Sequence, residues 1–324
     1  MKRNTKKWLV GSGIAAAGAA AFGAVRRAVS KYMVRIAMDR HAPSQIEENF
    51  EKISGTDYGE LSQLLAEAQE RLEQNAQETV EIQGQDGTRL VGHWYPCEEP
   101  KRILVAMHGW RSSWSRDFGL VADFWHENGC SVLYAEQRGQ GESGGEYMGF
   151  GMLERYDCQQ WAKWVDANNP DNLPIYLSGI SMGATTVLMA SGMELPENVH
   201  GIMADCGFTS AYDIWKHVAE KNLHLHYGIY AAAVDDLCKK KIHVGARDYS
   251  TVEALAQCKV PVLFAHGTDD SFVPVEMTYE NFKACASPKR LFIVPGAEHA
   301  QSYLVDKDGY EAQAKDFWKT YDGV

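Results

Sequence analysis

The sequence predicts an α/β protein built on an eight-stranded, mostly parallel sheet flanked by helices, and three observations carry that expectation. Short apolar runs recur along most of the chain, segments with helical periodicity separate them, and a turn signal joins the first two runs into a hairpin. Short runs that are apolar throughout suit strands covered on both faces, as in parallel sheets.

Taken in order, Thr79 to Gln83 and Arg89 to Tyr95 flank Asp86-Gly87 and read as the hairpin. Ile103 to Met107, Ser131 to Ala135, Ile175 to Ser178, Gly201 to Ala204, Val262 to Ala265 and Leu291 to Val294 read as buried strands. Helical patterns cover Phe118 to Glu127, Glu154 to Ala167, Met182 to Ser191, Met277 to Ala284 and Tyr310 to Trp318. Between Phe208 and about Ala256 the rhythm breaks: Trp215, His217, His224, His226, Tyr227 and Tyr230 sit among helix formers. That interval, about 209–256, is expected to be a helical lid inserted after the sixth strand.

Upstream, residues 43–77 are polar and helical, with Leu61, Leu64, Leu65, Ala68 and Leu72 on one face, as in an amphipathic connecting helix. At the start, Lys2, Arg3, Lys6 and Lys7 precede an uncharged stretch from Trp8 to Val25, and Arg26, Arg27, Lys31 and Arg35 follow it. The stretch is just long enough to span a bilayer, so a single N-terminal signal anchor and membrane association are expected. Basic residues flank both ends, and the charge bias leaves the side of the membrane open. The expected organisation is a membrane segment at 1–40, an amphipathic linker at 41–78 and the α/β domain with its lid at 79–324.

Of 324 residues, 45% are hydrophobic and 23% charged, which excludes a disordered chain, a collagen-like fibre and a multispanning membrane protein. The net charge of −11 repels phosphate backbones and argues against a nucleic-acid partner. Seven cysteines, odd in number and without a CxxC pair, read as free thiols. The pair His224 and His226 lacks the neighbours of a metal site, and neither a metal nor an organic cofactor is expected.

Chemistry enters at Gly179-Ile180-Ser181-Met182-Gly183, which follows one predicted strand and opens a predicted helix. This is the strand, tight turn and helix that a GxSxG nucleophile elbow requires. A serine hydroxyl is a weak nucleophile at neutral pH and needs a base, itself oriented by a carboxylate. Ala265-His266-Gly267-Thr268-Asp269-Asp270 lies past the seventh strand and Pro295-Gly296-Ala297-Glu298-His299 past the eighth, so the order is Ser, Asp, His. Ends of parallel strands converge on one rim, where such residues meet.

These segments, with His108-Gly109-Trp110 and Glu136-Gln137-Arg138-Gly139-Gln140-Gly141-Glu142-Ser143, resemble the α/β-hydrolase superfamily over about residues 79–320. Within it the chain looks most similar to the serine-aminopeptidase-like group of bacterial esterases and acyl hydrolases, which includes membrane-anchored members. The resemblance implies the α/β-hydrolase fold, Ser181 as nucleophile, His299 as general base and Asp270 as orienting acid. Asp270 is selected over Asp269 because the family pattern places the acid four residues before the Pro of Val273-Pro274. The backbone N–H groups of Trp110 and Met182 are implied as the oxyanion hole. Arg138 is expected to buttress loops, His108 and His266 to hold loops, and Lys239, Lys240 and Lys241 to lie on a solvated lid helix.

The expected function is therefore a serine hydrolase of carboxylic esters or thioesters, a carboxylesterase or acyl hydrolase acting on a small-molecule or lipid-like acyl substrate. A peptidase or aminopeptidase is the alternative within enzymes, with Glu220, Asp235 and Asp236 of the lid as candidates to meet a substrate amino group, though they read as easily as surface charges. Removal of fatty acyl groups from proteins and a membrane-tethered, non-catalytic scaffold are the remaining readings.

Overall fold

The computed structural model describes residues 3–41, 61–75 and 78–323, with backbone only for residues 3–19. Helix α1 (Arg3–Met38) is followed by α2 (Leu61–Asn75), then β1 (Glu78–Gln83), β2 (Arg89–Tyr95), β3 (Arg102–Met107), α3 (Trp114–Glu127), β4 (Cys130–Ala135) and α4 (Glu154–Ala167). Next come β5 (Ile175–Ile180), α5 (Met182–Ala190), β6 (Val199–Asp205), α6 (Ala211–His217), α7 (Ala231–Ile242) and α8 (Thr251–Leu255). The chain ends with β7 (Val262–Gly267), α9 (Val275–Ala284), β8 (Lys289–Val294), α10 (Ser302–Val305) and α11 (Lys307–Tyr321). All eight predicted strands are present, in one sheet of order β1-β2-β4-β3-β5-β6-β7-β8. The first two form the antiparallel hairpin, β2 pairs antiparallel with β4, and every later pairing is parallel.

Both faces of the sheet are covered, as the uninterrupted apolar strands require. Val105, Leu133 and Leu177 face one way, onto Trp161 of α4 and Val187 of α5. Their neighbours Leu104, Val132 and Tyr176 face the other, onto Phe118 and Trp125 of α3 and Phe317 and Trp318 of α11. A third cluster sits apart from these, where Val34 and Met38 of α1 join Trp110, Phe150, Trp215 and Tyr227.

Helix α2 docks on α3, where the two backbones touch: a Cβ added to Gly119 would stand 2.8 Å from the backbone carbonyl of Ala68. Ala68 and Leu72 are buried in that contact, whereas Leu64, expected on the same face, is 44% exposed. Residues 43–60 and 76–77 of the expected linker helix lie outside the described residues.

The interval 209–256 contains no strand and folds as α6, a π-helical turn at Val218–Asn222, a 3-10 turn at Tyr227–Ile229, α7 and α8. The C-terminal half of α1 packs on this lid and is tied to it by the ion pair of Asp39 with Lys241, 2.7 Å. Among the described residues no helix is long and apolar enough to cross a membrane. The expected span Trp8 to Val25 falls mostly on residues 8–19, whose side chains lie outside the described ones, and the membrane anchor drawn from it finds no support in the fold. From Val29 onward, α1 packs as part of the folded body.

Candidate active site

Parallel register brings the carboxyl ends of the central strands level: Met107 pairs with Gly179, Ile180 with Asp205, and Gly267 with Val294. The chain leaves these ends as His108, Ser181, Thr268 and Pro295, so the quoted motifs share one rim. At the elbow Ser181 has φ 56° and ψ −116°, a left-handed conformation that costs a non-glycine residue of order 1–3 kcal/mol. The flanking glycines allow it. A Cβ on Gly183 would overlap the carbonyl oxygen of Met107 on the neighbouring strand, and one on Gly179 would overlap the Gly183 carbonyl.

The Ser181 hydroxyl stands 2.9 Å from His299 Nε2, and His299 Nδ1 stands 2.7 Å from Asp270 Oδ2. All three residues are buried. Asp270 is fixed on its other oxygen, where Oδ1 accepts the N–H groups of Phe272 at 2.9 Å and Val273 at 2.8 Å. His266 supplies a further donor, its Nε2–H shared between Asp270 Oδ2 at 3.1 Å and the Val273 carbonyl at 2.9 Å. Its Nδ1 meets the Thr278 hydroxyl at 2.7 Å. Burial opposes the charge on Asp270, but His299 and His266 outweigh it and hold the carboxyl well below the usual carboxylate range. Burial likewise opposes a charged His299, yet Asp270, then Asp205 and Asp117, keep its pKa above the ordinary imidazole value. Asp269, the competing acid, faces solvent and accepts from the Thr268 hydroxyl at 2.7 Å, holding the turn.

The amides expected to form the oxyanion hole are those of Met182 and Trp110. Met182 opens α5, and the first N–H groups of a helix have no partner within it and carry the positive end of its dipole. Trp110 follows Gly109, whose Cβ position is 3.5 Å from Ser181 Cβ. Asp117, in the first turn of α3, shapes this loop by accepting from Gly109 N at 2.6 Å and from the Ser112 hydroxyl. The His108 ring bonds the Gly109 carbonyl and accepts from Gln137 N, and the Gln137 side chain reaches both His108 O and Thr186. Asp117 and Thr186 carry no motif and sequence reading missed them, and Gln137, though within the quoted motif, was given no role.

Arg138 makes a bidentate pair with Asp157, at 2.5 and 2.6 Å, and reaches Asp86 at 2.8 Å, fastening the β4 loop to the hairpin turn. Of the lid lysines, Lys239 pairs with Asp235 at 2.9 Å and Lys241 with Asp39. His224 and His226 are exposed, and Glu220 faces His226 at 3.8 Å. Among the described residues one group of potential metal ligands comes together, Cys206 with Asp270 and His299, donor atoms within 4.8 Å of one another. Asp270 and His299 are already bonded to each other there, and burial pushes the Cys206 thiol well above its ordinary pKa.

A cavity of about 500 Å³ has Trp110 and Phe272 in its lining. The Phe272 ring stands edge-on to His299 with centroids 5.0 Å apart and stacks on Trp110 at 6.4 Å. Among the described residues no Asp, Glu, Lys, Arg or His lines the cavity.

The sequence model of the family described as serine aminopeptidase, S33, matches residues 98–218, which include the elbow but neither Asp270 nor His299. The uncharacterized protein YqkD of Bacillus subtilis (strain 168) is 26% identical over 69% of this chain and 73% of its own length. Among solved structures, the Pyrococcus furiosus esterase Pf2001 superposes with a TM-score of 0.63 at 22% identity, over 76% of this chain and 91% of that one. The Pyrococcus horikoshii acylaminoacyl peptidase superposes with a TM-score of 0.57 at 15% identity, over 76% of this chain and 41% of that one. The chain has the α/β-hydrolase fold.

Proposed function

We propose that this protein is a serine hydrolase that cleaves carboxylic esters or thioesters through an acyl-enzyme on Ser181. One observation carries the reading: the unbroken chain of hydrogen bonds from Ser181 through His299 to Asp270, with Phe272 of the apolar cavity lining edge-on to His299. With its Nδ1–H committed to Asp270, His299 presents a lone pair on Nε2 to the serine hydroxyl. As Ser181 Oγ bonds to the substrate carbonyl carbon, its proton passes to His299 Nε2, and the carbonyl oxygen, now negative, accepts the N–H groups of Trp110 and Met182. Collapse breaks the bond to the leaving alkoxide or thiolate, which takes the proton from His299. Water then gives a proton to His299, attacks the acyl carbon and releases the acid, and Ser181 recovers its proton.

The family name and the peptidase fold neighbour raise the aminopeptidase alternative, and the cavity lining argues against it. An amino-terminal ammonium group needs a carboxylate, and none lines the cavity. Asp235 is engaged by Lys239 and the Ala246 N–H, and Glu220 lines a separate hollow with Lys216 and Lys221. The test is hydrolysis of p-nitrophenyl esters and of aminoacyl anilides by the full chain, with Ser181→Ala as control and a fluorophosphonate as active-site label. Ester turnover falling about 10⁴-fold or more in the variant, with labelling at Ser181, is the expected result. Preference for the anilides overturns the ester reading, and a folded protein that neither turns over nor labels overturns the hydrolase.

A further inference from the structure

We propose that the C-terminal half of α1 is a substrate-binding element: it forms one wall of a pocket for a long, uncharged acyl chain, and so sets which chain lengths the enzyme accepts. The inference rests on the serine-hydrolase reading and assigns its substrate class. Val29, Met33, Ile36 and Ala37 of α1 line the cavity opposite Trp215 and Leu225 of the lid. The lining also takes in Trp110, next to the Gly109 that approaches Ser181, and Phe272, whose ring stands edge-on to His299. It includes Tyr32 and Leu223 as well, which are 49% and 42% exposed, so the cavity between helix and lid reaches the surface. Taking about 30 Å³ per heavy atom, the share of one water in the liquid, the cavity of about 500 Å³ holds about sixteen atoms. An apolar passage of that capacity fits a fatty acyl chain.

The wall is built in, because the last turn of α1 is held through the carbonyls that a helix end leaves unpaired. The Trp110 indole donates to Ala37 O at 2.8 Å, and the Arg111 guanidinium donates to Ile36 O at 2.8 Å and Asp39 O at 2.7 Å. Beyond it, Arg40 donates to Ser143 O and Gly141 O, each at 2.5 Å, and Met38 O accepts from Met148 N at 2.7 Å. Without α1 the cavity has a floor and a lid but no side on which a chain can lie dry.

The test narrows the passage from the helix side with Met33→Trp and, separately, Ala37→Trp in the full chain. Two readouts are taken: the ratio of kcat/KM for p-nitrophenyl palmitate over p-nitrophenyl acetate, and the affinity for the fluorescent fatty acid cis-parinaric acid. The ratio is expected to fall about 100-fold, the effect of excluding a few methylenes, and parinaric acid to bind about tenfold more weakly or worse. Ser181→Ala is expected to bind parinaric acid as the unaltered chain does. An unchanged ratio in both tryptophan variants, each shown folded by circular dichroism, overturns the proposal, and so does the absence of saturable parinaric acid binding by the unaltered chain. Parinaric acid binding without fluorophosphonate labelling at Ser181 leaves the pocket standing and removes the hydrolase reading. Labelling with short-ester turnover but no fatty acid binding does the reverse.

Discussion

Replacing Asp270 by Asn tests the triad at the atom where its proton logic is set. Asp270 Oδ1 is the acceptor for Phe272 N and Val273 N, so an asparagine keeps its carbonyl oxygen there and turns its NH₂ toward His299 and His266. The His266 Nε2–H then faces another donor, and His299 Nδ1 is forced to accept. Its proton moves to Nε2, where it points at Ser181 Oγ 2.9 Å away and occupies the lone pair that must take the serine proton. Inverting the tautomer in this way costs about 10⁴ in kcat/KM, or about 5.5 kcal/mol at roughly 1.36 kcal/mol per tenfold. The assay is steady-state hydrolysis of p-nitrophenyl butyrate by Asp270→Asn and by Asp269→Asn, with thermal unfolding as a check on the fold. Asp269 is on the surface, and its variant is expected within about twofold of the unaltered chain. A loss below about 100-fold in folded Asp270→Asn, or equal losses in both variants, would refute the assignment of the acid.

Two further outcomes follow from the geometry. The general base must be neutral, and Asp270, Asp205 and Asp117 raise the pKa of His299, so kcat/KM is expected to fall with decreasing pH around a midpoint above the ordinary imidazole value of about 6.5. A pH profile with its acid limb at or below that value contradicts the assignment. Gly119→Val places a branched side chain where the Ala68 backbone already lies, so it is expected to lower stability by about 1–3 kcal/mol, read as a reduced denaturant midpoint at unchanged slope.

Strands were legible because burial on both faces leaves a nearly continuous apolar run, as in Ile103 to Met107 of β3 and Val132 to Ala135 of β4. Helix starts were less so. The helices at Trp114 and Lys307 begin before their predicted first residues, Phe118 and Tyr310, because Ser113 and Asp306 cap opening turns that mix polar residues such as Arg116, Asp117, Lys307 and Asp308 into the pattern, which periodicity does not register. The segments holding the expected triad could be located because they follow predicted strands, and the family resemblance assigned the roles and chose Asp270 over Asp269. Asp117, Gln137 and His266 act through bonds to backbone groups or to one another across loops, and no spacing announces such bonds. Helix α1 was the hardest element to place. Val29, Met33 and Ile36 form an apolar stripe, and a stripe states that something apolar covers it without saying whether lipid or protein does so.

The bond from the Trp110 indole to the last turn of α1 joins two parts of the molecule that are usually separable, recognition of the remote end of a ligand and polarisation of its reacting carbonyl. The same residue lines the passage, hangs from the helix and carries an amide of the proposed oxyanion hole. On that arrangement, a chain that fills the cavity is expected to bear on the helix that holds Trp110, so its contribution is expected to emerge when the carbonyl turns tetrahedral as well as at encounter. Longer acyl groups should therefore turn over faster at saturation, and a chain-length series would separate this from simple tightening of the ground state by its effect on kcat.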